Sequence, residues 1–306
     1  MIDVLKTILN MVPSTLMIVA PILIAATGGM ICERSGVVNI ALEGLMTIGA
    51  MAAATTHVLL EQSAGGLSIP LALFAAAIVG CLFSLIHAFA SITLRADQVI
   101  SGTGINLLAN GITVFFCQII FQQKRTLPYR MGMQSSLGGL YPTVWVAVII
   151  LFITWFMLYK RPWGFRLRAC GEHPQALASA GVDVIRIRYI AVLISGALAG
   201  LAGACIVLTQ TTEFAVNTIN GKGFIALAAV SFGRWLPLGI LGSSFLFGTA
   251  SALAVYIVGN VDTFKFLTAD FFSALPYLIT LITLVIFSGK DYAPRSSGQP
   301  YDKGKS

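Results

Sequence analysis

The chain has 306 residues, 57% of them hydrophobic and 10% charged, with a mean hydropathy of +0.87. A soluble domain carries charge on roughly a quarter of its residues, so this composition excludes a large water-facing domain and leaves most side chains facing lipid or a packed interior. The formal net charge is +7; the basic residues fall in loops between apolar runs, which suits orientation in a membrane and gives no nucleic-acid-binding surface.

A helix that crosses a bilayer needs about 20 mostly apolar residues. In chain order the first such run is 12–31, read as a retained span because no cleavage site follows it. The second, 37–60, is interrupted by Asn39, Glu43 and Gly44. Runs at 67–94, 98–121 and 143–159 follow, the middle one rich in Gly, Ser, Thr and Asn. After a basic stretch come 189–209, a short run at 223–232, then 237–258 and 271–287. The expected fold is an all-α polytopic membrane protein with about nine crossings (8–10) in one transmembrane domain.

The longest basic loop holds Lys160, Arg161, Arg166, Arg168, Arg186 and Arg188, and the positive-inside rule places it in the cytoplasm. Alternation then puts Arg34, Arg95, Arg234 and the tail residues Lys290, Arg295, Lys303 and Lys305 on the same side, with the N-terminus outside. Lys6, Lys124, Arg125, Arg130, Lys222 and Lys265 fall on the opposite side. Spans within 12–121 and within 189–288, joined by a linking span at 143–159 and a cytoplasmic loop at 160–188, run in opposite directions. Each half holds an interrupted span, the arrangement of inverted-repeat transporters, whose broken helices mark the translocation site. Residues 289–306 form a cytoplasmic tail.

The interruptions carry the chemistry. Glu43 lies inside an apolar segment, where a charge at the bilayer centre costs about 2.5–3.5 kcal/mol. It is therefore either a polar contact in the pathway or a structural hydrogen-bonding group that holds a broken helix. Asn39 is four residues away and would share its face on a helix. In the fourth span Gln98, Ser101, Thr103, Asn106 and Asn110 offer neutral donors and acceptors. These suit hydroxylated or heterocyclic solutes, or serve as interhelical hydrogen bonds. The short seventh span follows Asn220, Gly221, Lys222, Gly223 and Phe224 and reads as a broken or re-entrant helix, or as a loop before a tilted one. Gly196 and Gly200 form a GxxxG pair that suits close helix packing.

In the cytoplasmic loop, Gly171-Glu172-His173-Pro174 through Ala180-Gly181 reads as a short helix, with Pro174 in its first turn and Gly181 at its stop. It either lies on the membrane or docks on a cytoplasmic partner. The five Cys stand singly and the three His are dispersed, which points to neither a metal site nor a disulfide framework.

Two segments together resemble a known family. Glu33-Arg34-Ser35-Gly36-Val-Val-Asn39-Ile-Ala-Leu-Glu43-Gly44 is similar to the signature around the second span of ABC importer permeases for nucleosides and simple sugars. Arg166 to Pro174, continuing through Ala180-Gly181, resembles their cytoplasmic coupling loop. The family sits with the ribose and branched-chain amino acid permeases, and the resemblance covers about residues 12–290. Ala96-Asp97-Gln98-Val-Ile-Ser101-Gly102-Thr103 looks like the nucleoside branch.

The resemblance implies a dimer of permeases, identical or different, with ATP-binding cassette ATPases on the coupling loops and an extracytoplasmic solute-binding lipoprotein, in a bacterial cytoplasmic (inner) membrane. It assigns ATPase coupling to Arg168, Gly171, Glu172, His173, Pro174, Ala176, Ala180 and Gly181. The chain has no GxxxxGK[ST] loop, so ATP and Mg²⁺ would be handled by the partner, with no cofactor in this chain and no catalytic residue. The alternative is a secondary transporter driven by an ion gradient. Glu43 is the one clear deep carboxylate, which weakens its proton-coupled form.

Overall fold

A computed structural model describes residues 2–129, 132–133, 139–259 and 292–302, together with Leu278 and Ile282. The fold is all-helical: α1 (Ile2–Glu33), α2 (Leu42–Ala64), α3 (Ser68–Ala88), α4 (Gln98–Phe121), α5 (Pro142–Lys160), α6 (Pro162–Glu172), α7 (Pro174–Ser179), α8 (Val184–Thr209), α9 (Lys222–Phe232) and α10 (Pro237–Gly259). Among the described residues, 6 helical stretches are long and apolar enough to cross a membrane. The longest, Leu42–Thr93, turns back at Gly65, whose φ is +51°, so that α2 and α3 pack side by side. His57 Nδ1 and Ser68 Oγ, 3.0 Å apart, brace α2 against the first residue of α3 beside that turn. The span expected at 271–287 lies, apart from Leu278 and Ile282, outside the described residues.

Local signals set several boundaries. Asp97 caps α4 by accepting the N–H groups of Val99 and Ile100, both at 2.9 Å, which relieves two unpaired donors of the first turn. Asp183 caps α8 through Arg186 N at 3.1 Å. Pro174 occupies the first turn of α7, and Gly181, at φ +80°, follows its end.

The core is organised around α8, which packs against α1, α2 and α3. Its small residues let three backbones approach at once. A Cβ added at Gly203 would fall on the Met46 carbonyl of α2, and one at Gly200 on the Ala76 carbonyl of α3. From the α3 side, a Cβ at Gly80 would meet the Gly196 carbonyl. The GxxxG pair thus serves packing within the subunit.

One expected boundary moves. The second apolar run begins near residue 37, but α2 starts only at Leu42. Residues 37–39 have no regular structure and lie between turns. Asn39 and Glu43 therefore do not share a helical face: Asn39 lies in the unwound approach, and Glu43 in the first turn of α2.

Candidate functional site

An unwound backbone inside a membrane protein must have its polar groups satisfied by neighbouring protein. Side chains from α3 and α4 do this for the approach to α2, and α8 anchors the Asn39 side chain. The Val38 N–H donates to Gln98 Oε1 at 2.7 Å, and the Val38 carbonyl faces His87 Nε2 at 3.0 Å. A carbonyl accepts only, so Nε2 carries the proton, and Nδ1 accepts from the Ser101 hydroxyl at 3.0 Å. Asn106 Nδ2 donates to the Ile40 carbonyl at 3.0 Å, while its Oδ1 accepts the Gly44 N–H at 2.7 Å. Asn39 Nδ2 donates to Ser195 Oγ of α8 at 2.8 Å. Asn39, His87, Gln98, Asn106 and Ser195 are all buried.

The first turn of α2 also meets the second break. Glu43 Oε1 accepts the Gly221 N–H and Oε2 the Gly223 N–H, each at 2.7 Å. These donors open α9, where Asn220 and Gly221 both have positive φ, +48° and +79°. A carboxylate at a helix N-terminus satisfies orphan N–H groups and complements the helix dipole. Glu43 thus holds the start of α9 through hydrogen bonds. At Gly223 an added Cβ would crowd the Glu43 backbone, which is why the bonding position takes glycine.

The remaining expected pathway residues lie at exposed positions. Thr103 and Asn110 lie on the exposed side of α4, and Thr103 Oγ1 turns back to the Val99 carbonyl at 2.8 Å. Gly104 and Gly111 lie beside them, and a Cβ at either would meet nothing within 4 Å. Asn106 and Asn110, one turn apart, differ: the first is buried against α2 and the second exposed. At the start of α9, Asn220 and Phe224 are exposed. The first turn of α2 lies between these two surfaces, bonded to α4 through Gly44 and to α9 through Glu43.

The basic segment folds as α6 and α7 against the lower end of this assembly. Gly171 is buried against the Arg34 carbonyl, where a Cβ would collide. Arg168 folds back over the Tyr159 ring, 4.9 Å from its centroid. In α7, Pro174 and Leu177 face inward, while His173, Gln175, Ala176, Ser179, Ala180 and Gly181 are exposed and Glu172 is half-buried.

Sequence reasoning missed a clamp beside this end. Glu33 Oε2 accepts from Trp235 Nε1 at 2.5 Å, and the Arg34 guanidinium donates to the Trp235 carbonyl at 2.9 and 3.1 Å. Arg234 and Trp235 have positive φ, +52° and +53°, an arrangement that costs energy for non-glycine residues and that this clamp holds. His87, in the last turn of α3, was missed too, although an ionisable residue within a span is itself a signal of a special role.

Residues 11–284 match the family described as branched-chain amino acid transport system / permease component. The chain is 41% identical to the guanosine ABC transporter permease protein NupQ of Bacillus subtilis, with 99% of each chain covered. It is 36% identical to the nucleoside ABC transporter permease protein NupC of Lactococcus lactis, covering 99% of this chain and 100% of the relative. A second guanosine ABC transporter permease protein of Bacillus subtilis, NupP, is 28% identical over 78% of this chain and 71% of its own length. This multi-pass membrane protein belongs to the branched-chain amino acid transport system permease component family.

Proposed function

We propose that this chain is the membrane-spanning permease subunit of an ATP-driven importer of nucleosides. The observation that carries this reading is full-length similarity to permeases named for guanosine and for nucleosides, at 41% and 36% identity. As a permease component it is a transport subunit and not an enzyme. ATP and Mg²⁺ bind the partner ATPase, and an extracytoplasmic binding protein delivers the solute. The second permease is a different chain: Bacillus subtilis has two guanosine permease proteins, one close to this chain and one distant.

We read the topology as nine crossings in an inverted repeat, with α2 and α9 as its matching broken helices. The reading is supported by their meeting N-termini, bridged by Glu43. The route runs along the exposed side of α4, past Thr103 and Asn110, to Asn220 and Phe224 at the start of α9. That side sets Thr103, Gly104, Asn110 and Gly111 among exposed Ile100, Leu107 and Leu108, and neutral donors and acceptors beside apolar surface suit an uncharged nucleoside. Asn39, Glu43, Gln98, Ser101, Asn106 and Gly221 form the wall behind it by fixing the broken backbone. The outward side of α7, around Ala176 and Ala180, docks on the ATPase, with Arg168, Gly171, Glu172, His173, Pro174 and Gly181 shaping and positioning it.

The test is co-purification and competition. The chain should co-purify with an ATP-binding cassette ATPase and a second permease. Uptake of labelled guanosine by cells expressing the complex should be displaced by unlabelled nucleosides and not by free ribose or branched-chain amino acids. Displacement by ribose or by leucine instead would overturn the substrate assignment.

A further inference from the structure

The segment 292–302 of the C-terminal tail returns to the end of the bundle that carries α6 and α7, and it bonds to four separate parts of the fold. The Ser296 N–H and its hydroxyl both donate to the Gly171 carbonyl, at 2.9 and 2.7 Å, and the hydroxyl also reaches the Cys170 carbonyl at 3.2 Å. These carbonyls close α6, immediately before α7. Two residues on, the Gly298 N–H donates to the Gly36 carbonyl at 3.2 Å, in the unwound approach to α2. Asp302 pairs with Arg95 at 3.2 Å, just ahead of α4. The fourth attachment is Arg188 in the first turns of α8, whose Nη1 donates to the Gln299 carbonyl at 2.9 Å and whose guanidinium lies 6.0 Å from the Tyr301 ring centroid.

Arg188 makes this attachment more than incidental. Its side chain is 1% exposed, and Nε and Nη2 find no hydrogen-bond partner. A buried charge is tolerated only where partners compensate its lost hydration, and here the tail supplies a carbonyl and an aromatic face beside the Cys170 side chain of α6. Gly36 completes the fit: a Cβ there would come within 2.6 Å of Ser296 Oγ and 2.8 Å of Arg188 Nη2. The helix that bears Arg188 also bears Ser195, the partner of Asn39 in the unwound segment. Displacing the tail would therefore strip Arg188 of its carbonyl and ring partners and remove the Ser296–Gly171 and Gly298–Gly36 bridge, leaving α6 joined to the 34–36 turn only by the direct contacts of Gly171 with Arg34 and Cys170 with Ser35.

We infer that residues 292–302 form a strap that transmits movement of α6 and α7 to the unwound segment before α2, with Arg188 and Ser296 as its positioning residues. This rests on the reading of α7 as the ATPase-docking element. ATPase closure moves α7; the strap, bonded at Gly171 and Gly36, makes the residues that hold Val38 and Asn39 follow. Without it, ATP would still be hydrolysed, but the pathway end would respond weakly.

The experiment uses the complete complex with its ATPase, second permease and binding protein in proteoliposomes, and reads guanosine imported per ATP hydrolysed. Truncation after Asp291 should leave the ATPase attached and lower that ratio by about tenfold, within the range usual for coupling between sites. Should the truncated chain fail to insert, exposed-site variants decide: Asp302→Arg should lower the ratio, and Arg95→Asp with Asp302→Arg should restore it. An unchanged ratio in the inserted truncation, or no restoration by the exchange, overturns the strap. Ala176→Trp, tested in parallel, should detach the ATPase. Normal attachment and uptake in that variant would instead overturn the docking role of α7.

Discussion

Glu43 and Gly223 are 180 residues apart in sequence, yet the Glu43 carboxylate accepts the Gly223 N–H at 2.7 Å while its other oxygen accepts Gly221 at the same distance. One side chain at the start of α2 therefore closes the start of α9. The starts of α2 and α9 are thereby joined by two hydrogen bonds from one side chain.

Glu43→Gln replaces one acceptor oxygen with a donor and leaves one helix N–H without its partner. A hydrogen bond to a charged group contributes about 1.5–3 kcal/mol, so the variant should unfold in detergent at a lower temperature than the parent, and Glu43→Ala lower still. Unchanged melting of both would show that the carboxylate does not hold α9.

Val38 is gripped on both sides of its backbone. His87→Leu should strand its carbonyl and Gln98→Leu its N–H, each costing about 1–3 kcal/mol as an unpaired buried group. Because both act on one residue, the double variant should lose less than the sum of the two. Thermal unfolding of the three proteins measures this, and strict additivity would mean the two bonds are independent.

The packing of α8 predicts a contrast among glycines. Gly203→Val and Gly200→Leu should abolish accumulation of a monodisperse protein, because the added atoms meet backbone of α2 and α3. Gly104→Ala, on the open side of α4, should accumulate normally. Size-exclusion profiles of the three detergent-solubilised variants check it.

Asn110 is exposed and outside the network that holds the unwound segment. Asn110→Leu should preserve melting temperature and ATPase attachment while raising the KM for guanosine uptake severalfold, as expected when a polar contact worth about 1 kcal/mol is lost. A normal KM would remove α4 from the route.

Legibility followed the range of the interaction. The start of α4 was readable because Asp97 caps it, and its end because the apolar run gives way to Gln122, Gln123, Lys124 and Arg125. The short α7 was readable from Pro174 and Gly181, whose backbone preferences are local. The delayed start of α2 was not: Asn39 and Glu43 mark a polar interruption of the run 37–60, but only partners on α3, α4 and α8 unwind its first residues. Gln98, Ser101 and Asn106 were identifiable as polar groups within a span. Their bonding to Val38, Ile40, Gly44 and His87 depends on which helices meet, and no spacing encodes that. The Trp235 clamp and the tail contacts at Arg188 are likewise products of long-range packing.

The central claim, transport of nucleosides driven by ATP in a partner chain, is tested most directly by guanosine uptake into proteoliposomes that hold the whole complex, with ATP inside and all ion gradients collapsed by ionophores. The account predicts uptake that continues under ionophore, requires the binding protein and stops when ATP is omitted. Uptake that ignores ATP and disappears with the ion gradient would contradict it.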